Sequence, residues 1–349
     1  MKKMVLTGIR KMEMIEVAKP VIKSPTEVLL RIQSVGVCGS DIHYYTQGRV
    51  GDQIVEYPFA MGHECSAIVE ETGTEVTQVR TGNLVAVDPA VHCFECDQCK
   101  SGRFHTCRNL KFLACPGQLE GCLAEYLVMP EACCYKVGSN LSSDLAALVE
   151  PLSIGTYAVQ LAQDLTGKKI GIIGIGPIGL SVMLTVRVST PETIYVIDKL
   201  DYRLEIAKAH GAGWTGNPIS DDIVGQIQTI EPLLLDMVFE CCGQQQALDQ
   251  AVDLLRPGGK LIIIGIPETD RVYFDISKIR RKEITLVNVR RQNECIQPVI
   301  DMLENGKIST NFMITHHFDF DESAKAFNTV NEYKDRVIKA IIRITRSRI

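Results

Sequence analysis

The chain has no basic block and no uncharged apolar run of about 18 residues, and each gap removes a class of partner. Lys and Arg number 37 against 42 Asp and Glu, a formal net charge of −5, so charge offers no footing for nucleic acid. Charges interrupt every apolar stretch of the opening MKKMVLTGIRKMEMIEV, which lacks the continuous hydrophobic core of a secretory signal. No membrane span is expected. Internal repeats and low-complexity segments are missing as well.

What is there reads as globular. Hydrophobic residues make up 46% and charged residues 23%, and 349 residues suffice for two cores. Thirteen cysteines without a secretory signal fit a reducing, cytoplasmic compartment, where close cysteine spacing means metal more often than disulfide. Cys133, Cys134, Cys241 and Cys242 read as free buried thiols.

Residues 1–150 are expected to be β-rich. Short apolar runs such as Val28-Leu29-Leu30-Arg31-Ile32 and Asn83-Leu84-Val85-Ala86-Val87 are bounded by Gly, Pro, Ser and Thr, which predicts a mostly antiparallel, barrel-like domain. The pattern changes at 151. Pro151 to Leu165 reads as a helix with Pro151 in its first turn. Lys169-Ile170-Gly171-Ile172-Ile173 reads as a strand, Ile178 to Val188 as a helix, Thr193 to Ile197 as a strand and Tyr202 to His210 as a helix. Asp236 to Glu240 and Lys260 to Ile264 read as further buried strands. This alternation predicts an α/β fold with a doubly wound parallel sheet over 151–287. Residues 288–349 mix both patterns and are expected to rejoin the first domain. A chain that leaves a domain and comes back places a cleft between two bodies, a usual place for ligands.

The strand at 169–173 runs into Gly174-Ile175-Gly176-Pro177-Ile178-Gly179. The first glycine permits the tight turn, the second lets backbone approach a pyrophosphate, and the third lets helix lie close to strand. The helix N-terminus then offers free N–H groups to phosphate. Asp198 closes the next strand, 19 residues after Gly179. A carboxylate there accepts ribose hydroxyls and repels a 2′-phosphate, which favours NAD.

Two sets of metal ligands follow. Cys93, Cys96, Cys99 and Cys107 lie within fifteen residues and can close a tetrahedral shell around zinc, the mark of a structural site. An iron–sulfur cluster is the competitor, but the long last gap, and Arg108 where ferredoxins carry proline, weigh against it. His92 and His105 are read as bystanders. The second set is dispersed: Cys38 in Gly36-Val37-Cys38-Gly39-Ser40-Asp41, His63-Glu64 after Gly62, and Glu150 in Val149-Glu150-Pro151-Leu152-Ser153.

These motifs, in this order and nearly end to end, resemble the zinc-containing medium-chain dehydrogenases, and within them the sorbitol (polyol) dehydrogenase branch. The resemblance implies a GroES-like catalytic domain, a Rossmann coenzyme domain, one catalytic and one structural zinc per chain, and NAD. It makes Cys38, His63 and Glu64 ligands, while Glu150 either binds the catalytic zinc directly or holds its water. Glutamate at 150, where liver- and yeast-type alcohol dehydrogenases carry cysteine, makes the ion harder and more Lewis acidic. Ser40 matches the family's proton-relay hydroxyl, with His43 passing the proton onward and Asp41 supporting the ligands. Gly174, Gly176, Pro177, Ile178, Gly179, Asp198 and Arg203 are the implied coenzyme contacts. Tyr44 and Arg290 are the implied donors to polyol oxygens. Cys115 stands where that branch carries threonine, so the implied substrate widens to a polyol, sugar or related secondary alcohol, a small molecule. The resemblance also implies a homotetramer or homodimer.

Three other readings share some of these features. An L-threonine 3-dehydrogenase would use the same zinc ligands and cofactor. A non-catalytic relative would keep only the four-cysteine ion, and a zinc-ribbon nucleic-acid binder rests on those four cysteines alone.

Overall fold

Val28, Leu29, Leu30, Ile32 and Val35 are buried along one strand, Glu27–Gly36, because that strand is covered on both faces and flanked on both edges. In the computed structural model, which describes residues 1–344, it pairs with Glu64–Thr72, Tyr126–Pro130 and Lys339–Arg343, all antiparallel. The sheet continues outward through Leu84–Val87 to Cys134–Lys136 on one side, and from Lys339–Arg343 to Ile314–Asp319 on the other. That last pairing is parallel, the exception in an otherwise antiparallel sheet. Leu6, Leu30, Ile32, Met61, Phe327 and Ile342 fill the core beneath it. Each such side chain contributes roughly 1.5–3 kcal/mol by leaving water.

The chain divides into two units, Met1–Glu150 with Ile296–Ile349, and Pro151–Cys295. The return to the first unit therefore falls eight residues beyond the 288 expected from sequence. Residues 288–295 stay with the second unit through backbone and side-chain bonds: Val289 N–H donates to Ile263 O at 2.9 Å, and Cys295 Sγ to Gln160 Oε1 at 3.3 Å.

The second unit is built on six parallel strands. Counted along the chain they are Lys169–Ile173, Thr193–Ile197, Trp214–Gly216, Leu235–Glu240, Leu255–Ile263 and Thr285–Asn288, in the spatial order 3-2-1-4-5-6. That is the order of a dinucleotide-binding sheet, whose ligands sit at the carboxyl ends where the order reverses, between strands 1 and 4. Helices Pro177–Val188, Asp201–Ala209 and Gln245–Leu254 alternate with these strands. Two expectations shift in detail. The helix expected from Pro151 begins at Val149, so Glu150 lies inside its first turn and is buried. The strand expected from Lys260 begins at Leu255, with an irregularity in between: Leu255 pairs with Leu235 and Lys260 with Met237, and Gly258 at φ +74° bends the intervening segment. Among the described residues no helix is long and apolar enough to cross a membrane.

Candidate active site

Strand Glu27–Gly36 delivers Cys38 to the N-cap of helix Gly39–Gln47. The helix returns Asp41 to that end, where it is fully buried and accepts from Cys38 N–H at 3.2 Å and Gly62 N–H at 3.4 Å. Asp41 Oδ1 also stands 3.5 Å from His63 Nδ1, which fixes the ring and leaves Nε2 for a metal. One carboxylate thus aligns two ligand-bearing segments. Burial opposes a charge on His63, but Asp41 and Cys38 outweigh it and hold the imidazole pKa well above its ordinary value. The ring packs against Phe112 at 5.5 Å between centroids.

Glu64 opens the next strand. Its side chain runs beneath Gly36, where a Cβ would stand 2.3 Å from Glu64 Oε2. Both carboxylate oxygens accept from Lys339 Nζ, at 2.8 and 2.6 Å, and Lys339 also donates to Val37 O at 3.1 Å. Burial alone would lower the lysine's pKa, but Glu64 and Cys38 raise it. The ligand atoms of Cys38, His63 and Glu64 fall within 4.8 Å of one another. Glu150 is outside that trio but electrostatically coupled to it: burial pushes its carboxyl up to about 7, with His63 opposing and Glu64 and Asp88 adding. Four acids, Asp41, Glu64, Asp88 and Glu150, are therefore buried around two cationic groups, His63 and Lys339. Thiolate, imidazole and carboxylate form the donor set of a catalytic zinc with an open position, and a divalent cation would balance the excess negative charge. The residues fit the metal.

The four-cysteine loop fits one too. Sγ–Sγ separations are 3.4 Å for Cys93–Cys107, 3.6 Å for Cys96–Cys99, 3.9 Å for Cys96–Cys107 and 4.0 Å for Cys93–Cys99. A tetrahedron with Zn–S bonds of about 2.3 Å has edges of about 3.8 Å, whereas a disulfide needs about 2.05 Å. Backbone N–H groups of Cys99 and Arg108 pull the Cys96 thiol down to about 6. None of the thirteen cysteines is in a disulfide. Cys133 and Cys134 are buried as expected, but Cys242 is exposed, since it sits in the loop after the fourth parallel strand rather than inside the sheet. His92 packs edgewise on Phe94 and at a tilt against Phe104, outside the cysteine set.

In the second unit Gly174 has φ +87°, and a Cβ on Gly179 would stand 2.0 Å from Gly174 O. Gly176 caps helix Pro177–Val188, with Pro177 at its first position and Ile178 following. Glycines at such a turn leave its backbone N–H groups open to approach by a phosphate. Asp198 does more than the sequence suggested. Its Oδ2 accepts from Ile175 N–H at 2.7 Å and its Oδ1 from Leu200 N–H at 2.9 Å, so it braces the glycine turn from the neighbouring strand. Arg203 Nη1 is 3.9 Å from Asp198 Oδ2 and borders Gly176.

Ser40 donates to Cys38 Sγ at 3.4 Å, beside the metal ligands. His43 is half-buried on the same helix. Tyr44 is buried with its hydroxyl donated to Gln53 at 2.9 Å, a partner that sequence reasoning missed. Cys115 is buried with Phe112 and Ala90, one side chain removed from His63. Arg290 is exposed and belongs to the second unit.

Residues 24–139 match the family model described as alcohol dehydrogenase GroES-like domain, and residues 177–305 the one described as zinc-binding dehydrogenase. A sorbitol dehydrogenase of Bacillus subtilis (strain 168) is 34% identical over 317 residues, 90% of each chain. An L-idonate 5-dehydrogenase of Vitis vinifera is 34% identical over 312 residues, 87% of this chain and 85% of the relative. Among solved structures, an oxidoreductase/dehydrogenase of unknown specificity from Escherichia coli matches with a TM-score of 0.93 and 31% identity, covering 99% of both chains. The chain belongs to the zinc-binding dehydrogenases of the alcohol dehydrogenase family, on the side of its polyol-oxidising branch.

Proposed function

We propose that this protein oxidises a polyol, sugar or related secondary alcohol to the ketone with NAD, reversibly. The observation that carries this reading is the gathering of Cys38, His63 and Glu64 within 4.8 Å, aligned from behind by Asp41 and Lys339. Zinc held by these three supplies Lewis acidity that brings an alcohol's pKa toward neutrality, and NAD supplies the hydride acceptor. The protein's own task is to hold the alcohol and move its proton. Ser40, 3.4 Å from Cys38 Sγ, has a hydroxyl that can accept from the substrate and donate onward, and His43 on the same helix continues the path. Glu150, buried beside the trio, either completes the zinc's shell or holds its water.

Tyr44 and Arg290 are the proposed polyol contacts. Gln53 joins them, because it fixes the Tyr44 hydroxyl. Asp198 supports NAD over NADP, since a buried carboxylate disfavours a second phosphate nearby. The four-cysteine loop is the proposed structural zinc site. Thirteen free thiols accord with a cytoplasmic setting. A homotetramer or homodimer accords with the strand Thr285–Asn288, which ends the six-stranded sheet with Leu286 exposed.

The test is NADH formation across sorbitol, xylitol, galactitol, sugar acids and threonine, before and after chelation. Activity on polyols or sugar acids that disappears with zinc and returns on adding it is expected. Turnover of threonine alone, or turnover that persists in zinc-free protein, would end this reading.

A further inference from the structure

We propose that Glu240 is a positioning residue that shapes the nicotinamide half of the dinucleotide crevice; this rests on the NAD reading above. The sheet order reverses between its first and fourth strands. Asp198 follows the second strand, on one side of the glycine turn, and Glu240 ends the fourth, on the other side. A dinucleotide with its pyrophosphate on the turn and its adenosine ribose at Asp198 extends its other half past the loops that follow Glu240.

Those loops are tied together by this one residue. Glu240 is wholly buried, and its Oε1 accepts from Cys242 N–H at 2.8 Å and Gly243 N–H at 2.7 Å. Its backbone oxygen accepts from Ile264 N–H at 2.9 Å and Gly265 N–H at 3.0 Å. The loop after the fourth strand is thereby fastened to the loop after the fifth. The packing around it leaves no room for side chains. A Cβ on Gly243 would stand 2.3 Å from Ile266 O, and one on Gly265 would stand 2.1 Å from Gly243 N and 2.7 Å from Glu240 Oε2. A Cβ on Gly174, at the glycine turn, would stand 2.8 Å from Cys242 Cβ. Three loops at the carboxyl edge of the sheet thus meet backbone to backbone, and the carboxylate supplies the acceptor for two amides of the middle one. Its Oε2 is buried without a hydrogen-bond partner, an arrangement that stabilises little by itself. What the group does impose is loop geometry. Shortening it by one methylene pulls Oε1 away from both amides, while an isosteric amide keeps an acceptor in place.

The experiment is titration of the full chain with NADH and, separately, with ADP, for the wild type, Glu240→Asp and Glu240→Gln. Glu240→Asp should weaken NADH by about ten-fold, with ADP held within about two-fold, because ADP reaches only the Asp198 side. Glu240→Gln should return NADH affinity to near the wild-type value. Equal NADH affinity in Glu240→Asp and wild type would overturn the proposal, as would parallel loss of NADH and ADP, the mark of general damage to the sheet. Wild-type protein that binds neither ligand would instead remove the NAD reading on which the proposal stands.

Discussion

At Ser40 a hydroxyl sits 3.4 Å from the sulfur of Cys38, which is where the proposed mechanism has it take the alcohol's proton. Replacing it by alanine removes a donor and acceptor without touching any ligand. Ser40→Ala should keep its zinc and lower kcat by about 10²–10⁴-fold, with Ser40→Thr largely retaining activity; single-turnover kinetics beside metal analysis would check this. An alanine variant that turns over within a few-fold of the wild type would remove Ser40 from the proton path. The place of Ser40 beside Cys38 was legible because the two lie two residues apart in one short motif. Lys339 was not. In Val337-Ile338-Lys339-Ala340-Ile341 it reads as a polar residue on a strand, and its partner Glu64 lies 275 residues away, so nothing local reveals that the ammonium is buried. Lys339→Met should destabilise the zinc-stripped protein by roughly 3–5 kcal/mol in denaturant unfolding, since it strands a buried carboxylate. Unchanged stability would mean that Glu64 finds another partner.

Among elements, the parallel strands of the second unit were the easiest to read, because strands buried on both faces appear as continuous apolar runs such as Ile170–Ile173 and Tyr195–Ile197. The first unit was harder, because its sheet is completed by Lys339–Arg343 and Ile314–Asp319 from the far end of the chain. Asp144 shows how that return segment is held. From helix Ser143–Ala147 it accepts from Ser34 Oγ at 2.6 Å and Arg343 Nη2 at 2.6 Å, and it pairs with His317 Nε2 at 2.9 Å, touching three strands of one sheet. Burial tends to raise its pKa, but Arg343 and Ser34 outweigh that and hold it below the ordinary carboxylate value. A carboxylate with a depressed folded-state pKa contributes stability above its unfolded value and loses it as pH falls through the folded one. Asp144→Asn should therefore destabilise by roughly 1–3 kcal/mol near neutrality, discounted for the half-exposed partners. The difference from wild type should narrow below pH of about 4. A gap that stays constant into acid would show that packing, not charge, holds the segment.

For the molecule as a whole, the two metal-ligand sets on the proposed reading divide the labour between chemistry and shape, and that division can be measured. The four-cysteine set lies within a fifteen-residue loop whose Sγ spacing of 3.4–4.0 Å leaves no corner for substrate, so an ion held there would only stiffen that loop. The other set draws Cys38, and His63 with Glu64, from two segments that the sheet already holds, with Asp41 and Lys339 bonded in place behind them. On that reading, metal loss there would remove reactivity but little structure. Wild-type protein should hold about two zinc per chain, and Cys96→Ser and Cys38→Ser about one each. Cys96→Ser should melt at a clearly lower temperature and lose activity only in step with its unfolding. Cys38→Ser should melt close to the wild type, bind NADH with near-normal affinity and turn over no alcohol. The contrast matters more than either value. Equal thermal losses in the two variants would mean that the catalytic ion also holds the fold, and a fully active Cys38→Ser would mean that the alcohol is oxidised somewhere other than beside Cys38.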